Sequence, residues 1–167
     1  MYDRRVLIAD SEMSLLEQHT MFLIRYGWHV ATATNGLECL AQWRSFQPEI
    51  LVLDPDIPWG GGDGVLAVLD EETGGLNLPV ILLTAEPQLE EVWRALEYPV
   101  SDLAIKPIDP YDLSRRIAHV LSLRERDNCL QLHAVSSVSR STPEAIRFDS
   151  ASEAGETSPG SPLARMT

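Results

Sequence analysis

Five short apolar runs punctuate the first two thirds of the chain: VLIA (6–9), HVATA (29–33), ILVL (50–53), VILLT (80–84) and LAI (103–105). Each has the length and composition of a buried strand. Between them, apolar residues recur at helical spacing. Leu15, Leu16, His19, Phe22 and Leu23 share one helix face, and Ser14 with Glu17 has the spacing of a capping box at its start. Residues 36–46, 63–72, 88–98 and 111 to about 126 supply four more helical segments. Strand then helix, five times over, predicts an α/β fold: a parallel sheet covered by helices on both faces, because right-handed crossovers place them there. From about Asp127 the periodicity dissolves into Ser, Thr, Pro and Glu. Such a stretch buries too little apolar surface to offset the entropy of ordering it. The expected organisation is a domain over 1–126 and a disordered tail over 127–167.

In sheets of this kind ligands sit beyond the carboxyl ends of the strands, so the residues that close the strands carry the chemistry. Asp10 follows the first run, Asp54 the third, Thr84 closes the fourth and Lys106 follows the fifth. Two carboxylates, a hydroxyl and an ammonium on one rim suit phosphoryl transfer to a carboxylate, which needs a fixed nucleophile, a hard cation and donors for the phosphoryl oxygens. Asp54 fits the nucleophile, Asp10 the cation, and Lys106 and Thr84 the oxygens. Taken singly, each is an ordinary strand-end or turn residue.

Composition narrows the partners. A formal charge of −12 argues against nucleic acid or an anionic membrane surface, which would repel the chain. The opening apolar run is too short for a signal peptide or a spanning helix, which predicts a cytoplasmic protein with no membrane partner. Cys39 and Cys129 form no CxxC and have no His at ligand spacing, so neither a disulfide framework nor a zinc site is expected. Basicity is lopsided: twelve arginines accompany one lysine, Lys106. A compact ammonium on a flexible stem suits a single oxygen better than a planar guanidinium fork.

These motifs together resemble the receiver domain of response regulators in two-component signalling. VLIADSE is similar to that family's first strand and acidic cluster, PEILVLDPDIP to its phosphoacceptor strand, DGVLAVL to its third helix, PVILLTAEP to its fourth strand and LAIKPIDPYDL to its lysine-proline strand end and last helix. The resemblance covers residues 4 to about 124. It implies a flavodoxin-like doubly wound (βα)5 sheet of order 2-1-3-4-5. Asp54 is then the residue that takes phosphate from a histidine kinase or phosphotransfer protein, Thr84 and Lys106 its catalytic companions, and magnesium is held by Asp10, Asp54 and the carbonyl of Asp56. A single-domain receiver signals through a partner protein and is no enzyme beyond catalysing its own phosphorylation and dephosphorylation.

Three positions depart from that pattern. Ser11 stands where the family has a second acidic residue, which weakens magnesium binding unless the carboxylate of Asp56 or Glu12 enters. Leu103 replaces an aromatic ring three residues before the lysine, and Pro99 a glycine in the preceding turn, which mutes the usual output. Trp59, Gly60, Gly61 and Gly62 put four residues where two usually separate Pro58 from Asp63. Trp59 has three open readings: a cover over Asp54, an anchor for a partner, or packing against a neighbouring helix. Two rival functions remain. A pseudo-receiver would keep the fold without cycling phosphate. A haloacid-dehalogenase-type phosphatase would use Asp54 as nucleophile and Asp56 as acid, although its nucleophile strand usually comes first in the chain.

Overall fold

The computed structural model describes residues 4–86 and 97–138. Five strands, β1 (Arg5–Ala9), β2 (His29–Ala33), β3 (Ile50–Leu53), β4 (Val80–Thr84) and β5 (Asp102–Ile105), form one sheet. All its pairings are parallel and its order is β2-β1-β3-β4-β5. Helices α1 (Met13–Arg25), α2 (Gly36–Phe46), α3 (Gly61–Thr73) and α4 (Pro110–Val138) connect or follow the strands. The predicted segment 88–98 lies almost wholly outside the described residues.

The central strands are apolar along their lengths, save Arg5 at the start of β1 and Thr84 at the end of β4, because both faces are covered. Val6, Ile8, Val52, Ile81, Leu83 and Ala104 pack with Leu15, Leu16 and Leu23 of α1 and Leu113, Ile117 and Leu121 of α4. The alternate residues Leu7, Ala9, Leu51, Leu53, Leu82 and Leu103 pack with Cys39 of α2 and Val65, Leu66 and Leu69 of α3. A strand's period of two thus feeds two cores. His19 joins the buried face of α1 because its Nδ1 donates to the Leu15 carbonyl at 2.8 Å.

Helix ends depart most from the sequence reading. α1 begins on Glu12 with no side-chain cap, and Ser14 lies inside its first turn with its hydroxyl donating to Glu12 Oε1, so the expected capping box does not form. Side chains cap α2 instead. Asn35 Oδ1 accepts from the Glu38 N–H at 2.9 Å, while the Glu38 carboxylate accepts from the N–H of Thr34, one residue before the cap, at 2.7 Å. α4 runs twelve residues past the expected stop at Arg126. No Gly or Pro interrupts residues 111–142, so nothing in the backbone ends the helix where the charged periodicity fades. Residues 127–138 of the expected tail are thus helical, and residues 139–167 lie outside the described residues.

Candidate functional site

Strand order reverses between β1 and β3: the chain leaves β1 for β2 on one side and returns to place β3 on the other. Asp10 and Asp54 sit at the carboxyl ends of these two neighbours. The Asp54 N–H donates to the Ala9 carbonyl at 2.9 Å and the Asp10 N–H to the Ala33 carbonyl at 3.0 Å, so sheet hydrogen bonding continues into both residues. Lys106 is fixed the same way, its N–H donating to the Thr84 carbonyl at 2.7 Å. The ladder carries all four predicted residues to one rim.

There they meet. Lys106 Nζ donates to Asp54 Oδ2 at 2.8 Å and lies 2.7 Å from Asp10 Oδ2 in an off-axis charge contact. Asp54 Oδ1 accepts the Asp56 N–H at 2.8 Å, and Asp10 Oδ1 the Glu12 N–H at 2.9 Å. Asp10 and Thr84 are 1% exposed and Asp54 6%. Two carboxylates thus share one ammonium in a poorly hydrated place. Burial pulls the Lys106 ammonium toward neutrality, but its contacts with Asp10 and Asp54 outweigh that and raise its pKa above the usual lysine value. The Thr84 hydroxyl accepts from the Glu86 N–H at 3.0 Å, which leaves its own proton for an incoming oxygen. Lys106 also lines a groove of about 330 Å³ with Glu12, Ser14, Gln18 and Pro107, an open approach to this rim.

The residues around the site separate the sequence-based alternatives. Asp56 and Glu12 are exposed, and Glu12 Oε1 is engaged by the Ser14 hydroxyl. Asp56 reaches Asp54 through its amide, not its carboxylate. Among the described residues no three His, Cys, Asp or Glu side chains converge into a metal cluster. A hard divalent cation is still satisfied by one or two carboxylates completed by waters and phosphate oxygens. Asp10 Oδ2 is buried with no hydrogen-bond partner, and it faces the same point as Asp54. The two carboxylates fit such an ion.

The insertion behaves differently from expectation. Gly60 caps α3 at φ 99°, and Gly61 and Gly62 form its first turn, so the helix starts two residues earlier than predicted. A Cβ on Gly62 would lie 2.8 Å from Pro55 Cα, and one on Gly36 only 2.3 Å from the Trp59 carbonyl oxygen. The Gly62 N–H donates to the Pro55 carbonyl and the Gly36 N–H to the Pro58 carbonyl, each at 2.8 Å. These glycines are therefore seats for close backbone packing. Trp59 is 74% exposed, which rules out both packing against a helix and a cover over Asp54. Sequence reasoning missed the Asp56 amide and Gly36. Only the Asn-Gly pair at 35–36 marked the latter.

A doubly wound sheet of order 2-1-3-4-5, with its polar residues gathered at the switch point, defines a flavodoxin-like module. The chain belongs to the response regulator receiver domain family, whose model matches residues 6–118. It is the receiver of a two-component response regulator. Among curated proteins it is 29% identical over 144 residues to the DNA-binding response regulator MtrA of Mycobacterium leprae, covering 80% of this chain and 63% of that one. A CheY-like receiver domain from Methanospirillum hungatei JF-1 superposes with a TM-score of 0.67 at 23% identity, covering 75% of this chain and 99% of the other. CheY4 of Vibrio cholerae gives 0.65 at 22%, covering 71% and 99%. The chain spans between 47% and 63% of the length of the first curated relatives it matches. MtrA is named for DNA binding, so the exclusion of nucleic acid drawn from charge finds no support in these relatives. Among the described residues no helix is long and apolar enough to cross a membrane.

Proposed function

We propose that this receiver accepts a phosphoryl group on Asp54 from the phosphohistidine of a histidine kinase or phosphotransfer protein and signals through a partner protein. The observation that carries the reading is Asp54 held at the switch point by Lys106 on one oxygen and the Asp56 N–H on the other. These bonds fix the nucleophile's position before the donor arrives, which is where rate enhancement by orientation originates. A carboxylate oxygen forms the new O–P bond as the donor's N–P bond breaks and its electron pair returns to the imidazole. Negative charge then arrives beside Lys106, whose ammonium stabilises it, and the Thr84 hydroxyl proton turns toward a phosphoryl oxygen. Asp10, Asp54 and the Asp56 carbonyl would hold a magnesium ion, which would supply the remaining positive charge when bound. The new charge draws Thr84 and Lys106 inward and shifts the adjoining loops between two arrangements, which is what a partner reads.

The haloacid-dehalogenase alternative requires the Asp56 carboxylate beside Asp54 as a proton donor, and that carboxylate is exposed. Ser11 favours the pseudo-receiver alternative, because only two carboxylates serve the cation. The deciding experiment is intact-mass analysis after incubation with phosphoramidate across a range of magnesium concentrations, with Asp54→Asn as control. Gain of one phosphoryl mass by the wild type alone supports phosphotransfer. No gain at any magnesium concentration supports the pseudo-receiver.

A further inference from the structure

The costliest local conformation near the site belongs to Trp59. Its φ of 63° lies in the left-handed region that bulky side chains avoid, and its indole is 74% exposed. An exposed indole returns almost nothing to folding stability in exchange for that strain. Yet the surroundings impose the conformation. The Pro58 carbonyl accepts from the Gly36 N–H, the Trp59 carbonyl lies close against Gly36, which has no Cβ to obstruct it, and Gly60 then turns at φ 99° into α3. The loop is built to hold a large apolar side chain out in water. Leu37, the residue after Gly36, is 64% exposed as well.

We infer that Trp59 is the anchor by which the phosphodonor protein docks, a role that rests on the phosphoacceptor reading of Asp54. Any protein-borne phosphohistidine must bring its imidazole to Asp54, and a standard interface covers about 800 Å² per partner, a disc of roughly 16 Å radius. Trp59 lies five positions after Asp54, a span of at most about 17 Å fully extended. The chain is far from extended, because the Ile57 N–H donates to the Asp54 carbonyl at 3.3 Å and the Gly62 N–H to that of Pro55. A donor engaged with Asp54 therefore covers Trp59, and a buried Trp is the residue type that most often dominates such a contact. Asp56 and Asp63, three positions before and four after it in the chain, are exposed and meet no basic side chain among the described residues. The matching donor surface has an apolar socket ringed by Lys and Arg, which also speeds encounter with an acidic chain.

The test separates docking from chemistry. Purified histidine kinases from the protein's own genome are autophosphorylated and screened for transfer to the wild-type chain, and the fastest is then used with Trp59→Ala. Phosphoramidate, too small to need docking, is the parallel donor. The expected result is an increase of about tenfold or more in KM for transfer from the kinase, with kcat and the phosphoramidate rate within about twofold of wild type. An unchanged KM overturns the inference, as does the absence of transfer from any kinase to a wild type that phosphoramidate labels. A fall in the phosphoramidate rate equal to that with the kinase also overturns it, since the indole would then serve chemistry. Failure of phosphoramidate to label the wild type would instead overturn the phosphoacceptor reading.

Discussion

Replacing Lys106 by Met tests the arrangement at the rim through stability, without any phosphodonor. The substitution keeps the volume of the stem and removes the one cation shared by Asp10 and Asp54, whose side chains are 1% and 8% exposed. Removing one partner from a buried ion pair costs about 3–5 kcal/mol. The expected deficit is therefore about 3–5 kcal/mol at pH 7. The pH dependence comes from Lys106 itself. The folded-state pKa of Lys106 is raised, so its contribution is complete below the unfolded value near 10.4 and is lost as pH rises through the raised value. The wild type should lose this increment there, and the variant should not. Urea unfolding followed by circular dichroism from pH 7 to 11, in chelator, measures both the deficit and its pH dependence. Adding Asp54→Asn to the variant should recover most of the pH 7 deficit by removing one of the two facing charges. A deficit below about 1 kcal/mol at pH 7 would refute the account of two carboxylates depending on one lysine.

Two further outcomes follow from packing. Gly36→Ala and Gly64→Ala both place alanine within a helix, but the first Cβ would meet the Trp59 carbonyl oxygen at 2.3 Å and the second meets nothing within 4 Å. The former should destabilise by about 1–3 kcal/mol despite the better helix former, and the latter should stabilise by about 0.5–1 kcal/mol, both read by urea unfolding. Burial pushes the Cys39 thiol up to about 12, with the neighbouring Glu38 charge adding to it. In a Cys129→Ser background Cys39 should resist a thiol-disulfide reagent at pH 8 until urea unfolds the chain, and reaction at a rate typical of a free thiol in the native protein would contradict that burial.

Much of this molecule was legible before its coordinates. ILVL and VILLT became strands residue for residue, because a strand buried on both faces is apolar at consecutive positions; HVATA also did, although β2 lies at the sheet edge and is only partly buried. Once the strands were placed, the topology delivered Asp10, Asp54, Thr84 and Lys106 to one rim, since the residue after a strand inherits the strand's end. What the sequence did not disclose depended on relations between backbones. Ser14 and Glu17 have the letters of a capping box, yet whether a box forms depends on where the helix begins, and here it begins one residue before Ser14. The end of α4 was misread because apolar content, which marks burial, fell away before anything that breaks a helix appeared. The Asp56 amide on Asp54 and the Gly36 seat under Trp59 involve backbone atoms, to which residue type is nearly blind. Trp59 shows the same limit: an indole beside three glycines reads equally as cover, anchor or filler until its exposure is known.

The central claim is chemical and local: one oxygen of Asp54 becomes the bridging oxygen of an acyl phosphate. An acyl phosphate is reduced by borohydride to an alcohol, which converts a phosphorylated aspartate, and no unmodified one, to homoserine. Borohydride treatment of the phosphoramidate-treated chain, followed by peptide sequencing by mass spectrometry, reads the modified position directly. The account predicts homoserine at position 54, dependent on phosphoramidate and lost in Asp54→Asn. Homoserine at Asp10 or Asp56 with none at 54, or none anywhere across the full range of magnesium, would contradict it.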